Sequence, residues 1–505
     1  MPHRILTLAF AVCLFTLIVA AKWATFGKYG SPMPDWDQWD AEAGALFIPW
    51  HQGEDLLPHI VRPHNEHRVI LTKLQNLTLG VANGQWDSRL EATTNALLHA
   101  AVATALWLAA ARWFAWPALT GLFLLLTGLF GLPLAWQNVL GGFHSQQYWL
   151  LGLSLAAIGL LPSRRPGSAG WWLGAFAAVA ALGSMGSGLL ASAAVLIVLG
   201  WRLVRREETW RGAWPTLLLC AALVAAGLAL RVEVEWHAHM KAKSAQDMAL
   251  SLLHSLQWPW RGQHWAAVVL WLPWALSTWR IVFSPRGSAV ARDAGGILIT
   301  ALGGWVVLQL LATAYARGAG GDYPASRYMD TLAFGAAVNG VALTWLAREA
   351  KASPAPRRNM IPTLAAAWAL TLGAGIHVFL REGVAGRIDR SDPASGDLFA
   401  GGVFDGAEAA VLESCGERVL VGRGQLALVE KQNGAAAAAD ARHGASLRLQ
   451  IRLRGPRRSG GPAENETAAR GRGCLRSLGG KGSRRQSSLL RVAGRSDVRV
   501  EFALR

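Results

Sequence analysis

Apolar runs of 14 to 20 residues recur eleven times in the first 380 positions, near 5–24, 92–111, 117–136, 147–162, 170–183, 188–203, 214–231, 265–283, 296–315, 330–347 and 361–380. A bilayer core about 30 Å thick is crossed by about 20 apolar residues. Within lipid every backbone N–H and C=O must be satisfied inside the segment itself, which leaves the helix as the structure such runs can take. The surrounding composition agrees. Of the 505 residues 52% are hydrophobic and 16% charged, where a soluble chain carries about a quarter charged. The expected fold is an all-α polytopic membrane protein with about eleven transmembrane helices. The fifth and sixth runs are short and joined by "GSMGSG" (183–188), so they are either two spans or a broken, re-entrant pair, and the small residues also suit close helix packing. The first run also fits a signal peptide with a poor cleavage site at "IVAAK". Cys13, Cys220, Cys415 and Cys474 have no paired spacing, and two lie in apolar runs, so no disulfide framework is implied.

Lysine and arginine fall in every second connection: the N-terminus with Arg4, then Arg112, "SRRPGS", "RLVRREE", "SPRGSAVARD" and "REAKASPAPRR". Basic loops stay cytoplasmic. The N-terminus is therefore expected inside the bacterial inner membrane and the C-terminus in the periplasm. The alternate connections are polar, aromatic and His-rich. They hold "PDWDQWDAEAGALFIPW" (34–50), "RPHNEHR" (62–68), "WQNVLGGFHSQQYW" (136–149), "EVEWHAHMKAKSAQDM" (233–248) and "ARGAGGDYPASRYMD" (316–330). No series of charges is apparent inside the spans.

The long first outer loop, 25–91, reads as two interfacial helices. Pro34 suits a helix start, Asp35 and Asp37 suit its positive end, and Trp36, Trp39, Ala43 and Phe47 repeat at three- and four-residue spacing, with Asp37, Asp40 and Gly44 on another face. A solvated helix start would use the same residues. A second helix is expected over 62–80, started by Pro63, with His64, Asn65, Glu66, His67 and Arg68 at its entrance. That cluster serves a polar, oxygen-rich ligand, a divalent cation held by His64, His67 and a carboxylate, or an ordinary helix cap.

A first span, an outer loop with interfacial helices and acids just past the membrane, many further spans and an outward C-terminus together resemble the GT-C superfamily of polyprenyl-phosphate-dependent integral membrane glycosyltransferases. The blocks "HNEHR", "QNVLGGFHSQQYW" and "SRYMD" also resemble those of a group of bacterial multispan proteins. The GT-C likeness covers about residues 1–380 and implies that an acid of the first outer loop is catalytic. The family often has an adjacent Asp-Glu pair; here Ala41 separates Asp40 from Glu42, so Asp37, Asp40 and Glu42 are all candidates. It implies a polyprenyl-phosphate-linked sugar donor, a periplasmic glycan, lipid or protein acceptor, contact with membrane lipid, and no certain cofactor beyond a possible divalent cation.

The chemistry asks for a carboxylate to take the acceptor proton and a cation for the leaving phosphate. Arg327, flanked by Ser326 and Tyr328, is the first candidate cation and Arg68 the second; an arginine beside a tyrosine is also a common interfacial anchor. Gln137, Asn138, His144 and Gln147 supply amide and imidazole groups suited to sugar hydroxyls, with Trp136, Tyr148 and Trp149 able to stack on a ring or to form an aromatic belt. A transporter or flippase and a non-catalytic membrane assembly protein are the alternatives. Residues 381–432 read as a short periplasmic region. Residues 433–505, rich in Arg, Gly, Ser and Ala, have the composition of a disordered tail or of an out-of-frame translation, and contribute much of the net charge of +17. Placed outside the cell, this tail has no nucleic acid to bind.

Overall fold

The computed structural model describes residues 2–31, 34, 37–351 and 355–381, and two short stretches, 486–490 and 498–502. The α-helices in chain order are α1 Pro2–Tyr29, α2 Ile48–His51, α3 Leu56–Val61, α4 Ile70–Asn83, α5 Ser88–Ala110, α6 Trp116–Gly131, α7 Trp136–Leu140, α8 Ser145–Leu160, α9 Ala169–Leu182, α10 Leu189–Val204, α11 Trp210–Ala229, α12 Ala245–Leu256, α13 Trp265–Phe283, α14 Ala294–Arg317, α15 Met329–Ala350 and α16 Ala355–Phe379. A π-helix, Trp39–Phe47, leads into α2. Strands Gln486–Leu490 and Val498–Phe502 pair antiparallel. The expected region 381–432, except for Arg381, and most of the expected tail 433–505 lie outside the described residues.

Every one of the eleven apolar segments lies on a helix. Among the described residues seven helices are long and apolar enough to cross a membrane: Arg4–Tyr29, Ser88–Ala110, Trp210–Ala229, Trp265–Phe283, Ala294–Arg317, Ser326–Ala350 and Asn359–Phe379. The other four, α6, α8, α9 and α10, have 14 to 16 residues, or about 21–24 Å at 1.5 Å per residue. Trp172, Leu173, Phe176, Ile197, Leu218, Val268, Trp279 and Leu370 stand exposed around the bundle, as side chains facing lipid do. The chain is a multi-pass membrane protein. Helix α15 is its centre, packed on α6, α13, α14 and α16, and 89% of its most apolar stretch is buried, against 22% for α1, α11 and α16.

The connections segregate to two ends. At one, the Gly287 N–H donates to Glu207 (2.7 Å), Arg292 pairs with Glu207, Arg205 donates to the Ser284 carbonyl, and Arg348 pairs with Asp293 at 2.5 Å. At the other, Leu71 bonds Gly183, Arg68 bonds Leu230, Glu66 pairs with Arg317 at 2.8 Å and the Arg327 N–H donates to Gln137. These are the basic and the polar loop sets of the sequence.

"GSMGSG" is a close turn between α9 and α10. A Cβ on Gly188 would stand 1.9 Å from the Ala181 carbonyl oxygen, a backbone atom that cannot swing away. Gly188→Ala is expected to cost about 3 kcal/mol through overpacking, read as a lowered thermal midpoint in detergent; an unchanged midpoint would count against the close turn.

Three expectations are corrected. The stretch 39–47 is π-helical, so its facing does not follow a 3.6-residue repeat, and Glu42 is buried together with Ala41, Ala43, Leu46 and Phe47. The helix expected over 62–80 starts only at Ile70. Residues 64–67 instead form a tight turn in which His64 and His67 exchange backbone hydrogen bonds (2.8 and 3.0 Å) and Asn65 takes φ 49°, a left-handed conformation that asparagine tolerates. Finally, ionisable groups are buried in the bundle: Lys22, Glu91, His99 and Asp330.

Candidate functional site

Three pieces of chain meet at the polar end: the first turn of the π-helix with the residues before it, the His64–His67 turn, and the segment leading from α14 into α15. His64 stands between two acids. Its Nδ1 is 3.3 Å from Asp40 and its Nε2 3.6 Å from Asp37, while its ring edge meets Phe143. His64 is 8% exposed whereas Asp40 is 83% exposed, so the group opens to solvent on one side. Burial alone would strip the imidazole of its proton, but the two carboxylates outweigh it and raise His64 to about 9. Burial likewise disfavours the Asp37 anion. The charge of His64, with His144 and Arg327 contributing, nevertheless holds its carboxyl below the usual range. Asp40 is lowered too, first by the His64 hydrogen bond. At neutral pH the group is carboxylate–imidazolium–carboxylate.

Arg327 lies within electrostatic reach of Asp37. Its backbone is fixed at both ends, the N–H donating to Gln137 Oε1 (3.1 Å) and the carbonyl accepting from the Asn138 amide (2.8 Å). Its guanidinium lies over the Tyr328 ring at 5.4 Å and has no hydrogen-bonded anion among the described residues. Ser326 accepts from the Gln137 N–H.

Glu66 faces away from the two aspartates. It accepts from Arg317 Nη2 (2.8 Å) and pairs with the His237 ring. Burial would raise its carboxyl, but Arg317 first and His237 next bring it down to about 2. His67 is lowered to about 4, chiefly by burial, and its neutral Nδ1 accepts the Gly186 N–H. His64 and His67 therefore serve different neighbours, and the Asn65 amide lies 3.1 Å from His64 Nε2. Arg68 is spent on the carbonyls of Leu230 and Val61. Among the described residues no three His, Cys, Asp or Glu side chains converge as a divalent cation requires. His64 turns one nitrogen to each acid, so those donors are committed to one another.

Glu42 sits apart from Asp37 and Asp40. It accepts from Asn76 (2.5 Å), Trp86 (2.9 Å) and Gln38 (3.2 Å), and Gln38 also donates to Glu91 at 2.7 Å. Burial raises Glu42 to about 7. This network ties the π-helix to α4 and α5. The block 136–149 is likewise largely internal. Gln137 and Asn138 hold Arg327, Gln147 donates to Thr331 (2.7 Å), Ser145 donates to Thr72, and Trp149 donates to Gln75. His144 alone of this block faces Asp37, and its burial lowers its proton affinity.

Lys73 was not singled out in the sequence. It is buried on α4, with Nζ donating to the carbonyls of His59 (2.8 Å) and Arg62 (2.9 Å), and burial, with Arg62 adding, lowers it to about 8 while Asp40 opposes. Its being the one charge in "ILTKLQNLTLG", just past "HNEHR", is the signal that marks it. No protein-family model, curated protein or solved structure matches the chain.

Proposed function

We propose that the protein is a GT-C-like glycosyltransferase of the bacterial inner membrane, with eleven crossings, a cytoplasmic N-terminus and a periplasmic C-terminus. It moves a sugar from a polyprenyl-phosphate donor to a hydroxyl of a periplasmic glycan, lipid or protein. One observation carries the proposal: the ionised Asp37–His64–Asp40 group stands at one end of the bundle within electrostatic reach of Arg327, whose guanidinium has no anion of its own among the described residues.

In the reaction the anomeric carbon–oxygen bond to the donor phosphate breaks with its electron pair on the phosphate, and the acceptor oxygen forms the new bond. The acceptor proton passes to Asp37. A carboxylate of low proton affinity suffices, because the hydroxyl becomes strongly acidic as its oxygen bonds to carbon. The leaving phosphate is held by Arg327 in a forked contact. No step is routed through a metal.

A proton-coupled transporter is the second reading, favoured by the ionisable residues buried among the helices, Lys22, Glu91, His99 and Asp330. The deciding experiment places the purified protein in nanodiscs with polyprenyl-phosphate-linked sugars and follows release of polyprenyl phosphate by mass spectrometry. Release dependent on an acceptor hydroxyl is expected. No release from any donor, with pH-gradient-driven uptake by proteoliposomes, would replace the enzyme by the transporter.

A further inference from the structure

Arg327 is gripped from below by residues that never face the solvent. The Asn138 amide donates at once to the Arg327 carbonyl and to Asp330 Oδ2, both at 2.8 Å. An asparagine amide can sit either way round. Only with its nitrogen toward Asp330 does it also present a donor to Arg327, so the carboxylate sets the orientation of the amide.

Asp330 is in turn enclosed by other helices. His99 of α5 places Nδ1 3.8 Å from Asp330 Oδ1, and Tyr148 of α8 donates its hydroxyl to the Asn138 carbonyl (3.2 Å). Lys22 of α1 is 4% exposed, lies 5.5 Å from the Tyr148 ring and within electrostatic reach of Asp330, and makes no hydrogen bond among the described residues. A cavity of about 10 Å³ opens between Lys22, Asn95, Asn138 and Tyr148, about the room that one water needs. Among the described residues Asn138 Oδ1 and both ring nitrogens of His99 are buried without a hydrogen bond. Burying an acid and an amine inside a bundle is costly, and helix packing alone does not call for it.

We infer that Asp330 is a positioning residue: through Asn138 it fixes the backbone of Arg327 so that the guanidinium meets the donor phosphate, with Lys22 as its charge partner from α1. The inference rests on the phosphate role proposed for Arg327.

The test compares binding of a short-chain polyprenyl phosphate with the matching uncharged polyprenol, in nanodiscs. The wild type is expected to prefer the phosphate by at least about tenfold, as a charge-assisted forked contact gives, and Arg327→Ala to lose that preference. Asn138→Ala should lower it about three- to tenfold with polyprenol affinity unchanged. The paired variant Lys22→Met/Asp330→Leu, which leaves no lone buried charge, should do the same. Combined with Arg327→Ala, either should leave no less preference than Arg327→Ala alone, so that the two losses do not add.

Full preference retained by both variants, or equal weakening toward both lipids, overturns the positioning role. An Arg327→Ala protein that keeps the wild-type preference overturns the phosphate role of Arg327 itself. If one variant fails to fold, the other tests the same link from the opposite side of the hydrogen bond.

Discussion

Asp37→Asn is expected to lower the turnover of glycosyl transfer about a hundredfold to a thousandfold, the loss typical of removing a positioned proton acceptor, with donor affinity within about twofold of wild type. Asn keeps the volume and the His64 contact but cannot take a proton. Asp40→Asn should cost about tenfold or less, because Asp40 is 83% exposed and water can replace it. Its role is to share the charge of His64. The pH profile follows from the same group. His64 is raised from 6.5 to about 9 by its two acids once they outweigh burial, so the stabilisation from its proton is complete below 6.5 and is lost as pH climbs through about 9. Above that the two carboxylates face each other unneutralised. Activity should therefore fall on the alkaline side near pH 9, and His64→Gln should remove that limb. Turnover of Asp37→Asn equal to wild type would end the assignment of the base.

How far all this was legible in the sequence depends on the range of the forces involved. The eleven apolar segments are local, and every one is a helix. The alternation of Lys and Arg is also local, and the two loop sets do collect at opposite ends. That alternation assigned Asp37, Asp40 and Arg327 to the same face; that Asp37 is the acid within electrostatic reach of Arg327 comes from the packing.

What failed was set by distant partners. Pro63 and Glu66 read equally well as a helix start, but Glu66 is drawn to Arg317, 251 residues away, and the chain turns at Asn65 instead. Glu42 was grouped with Asp37 and Asp40 by the resemblance to the GT-C family, which says nothing of its facing. Within the π-helix it meets Asn76, Trp86 and Gln38 instead. The amides of 136–149 looked available for a sugar because their hydrogen-bond partners, Thr331, Thr72 and the Arg327 N–H and carbonyl, lie far off in the chain. The buried charges escaped for a different reason. Lys22, Glu91 and Asp330 each lie near a span end, where a charge ordinarily reaches water, and only the packing of α1, α5, α8 and α15 seals them in.

Glu66→Ala is expected to destabilise the protein by about 3 kcal/mol, the scale of breaking a buried ion pair from one side. Arg317 is 14% exposed and Glu66 19%, and with the carboxylate gone the guanidinium stays in place without a counter-charge. Arg317→Ala/Glu66→Ala should recover at least half of the loss, since the double variant strands no ion; thermal unfolding of the four proteins in one detergent measures the cycle. The pair also fixes the acid sensitivity. Arg317 and His237, outweighing burial, hold Glu66 at about 2 against 4.5 unfolded, so its contribution is whole above pH 4.5 and drains away as pH falls toward 2. The wild type should therefore lose stability across that window while the double variant loses less. The clamp matters for the chemistry because Glu66 sits inside the His64–His67 turn. Releasing it frees His64 to leave Asp37 and Asp40, and Glu66→Ala should lower transfer at temperatures where the protein is still folded. A Glu66→Ala protein as stable as Asp55→Ala, which removes only an exposed helix cap, would show that the turn is held by its backbone alone.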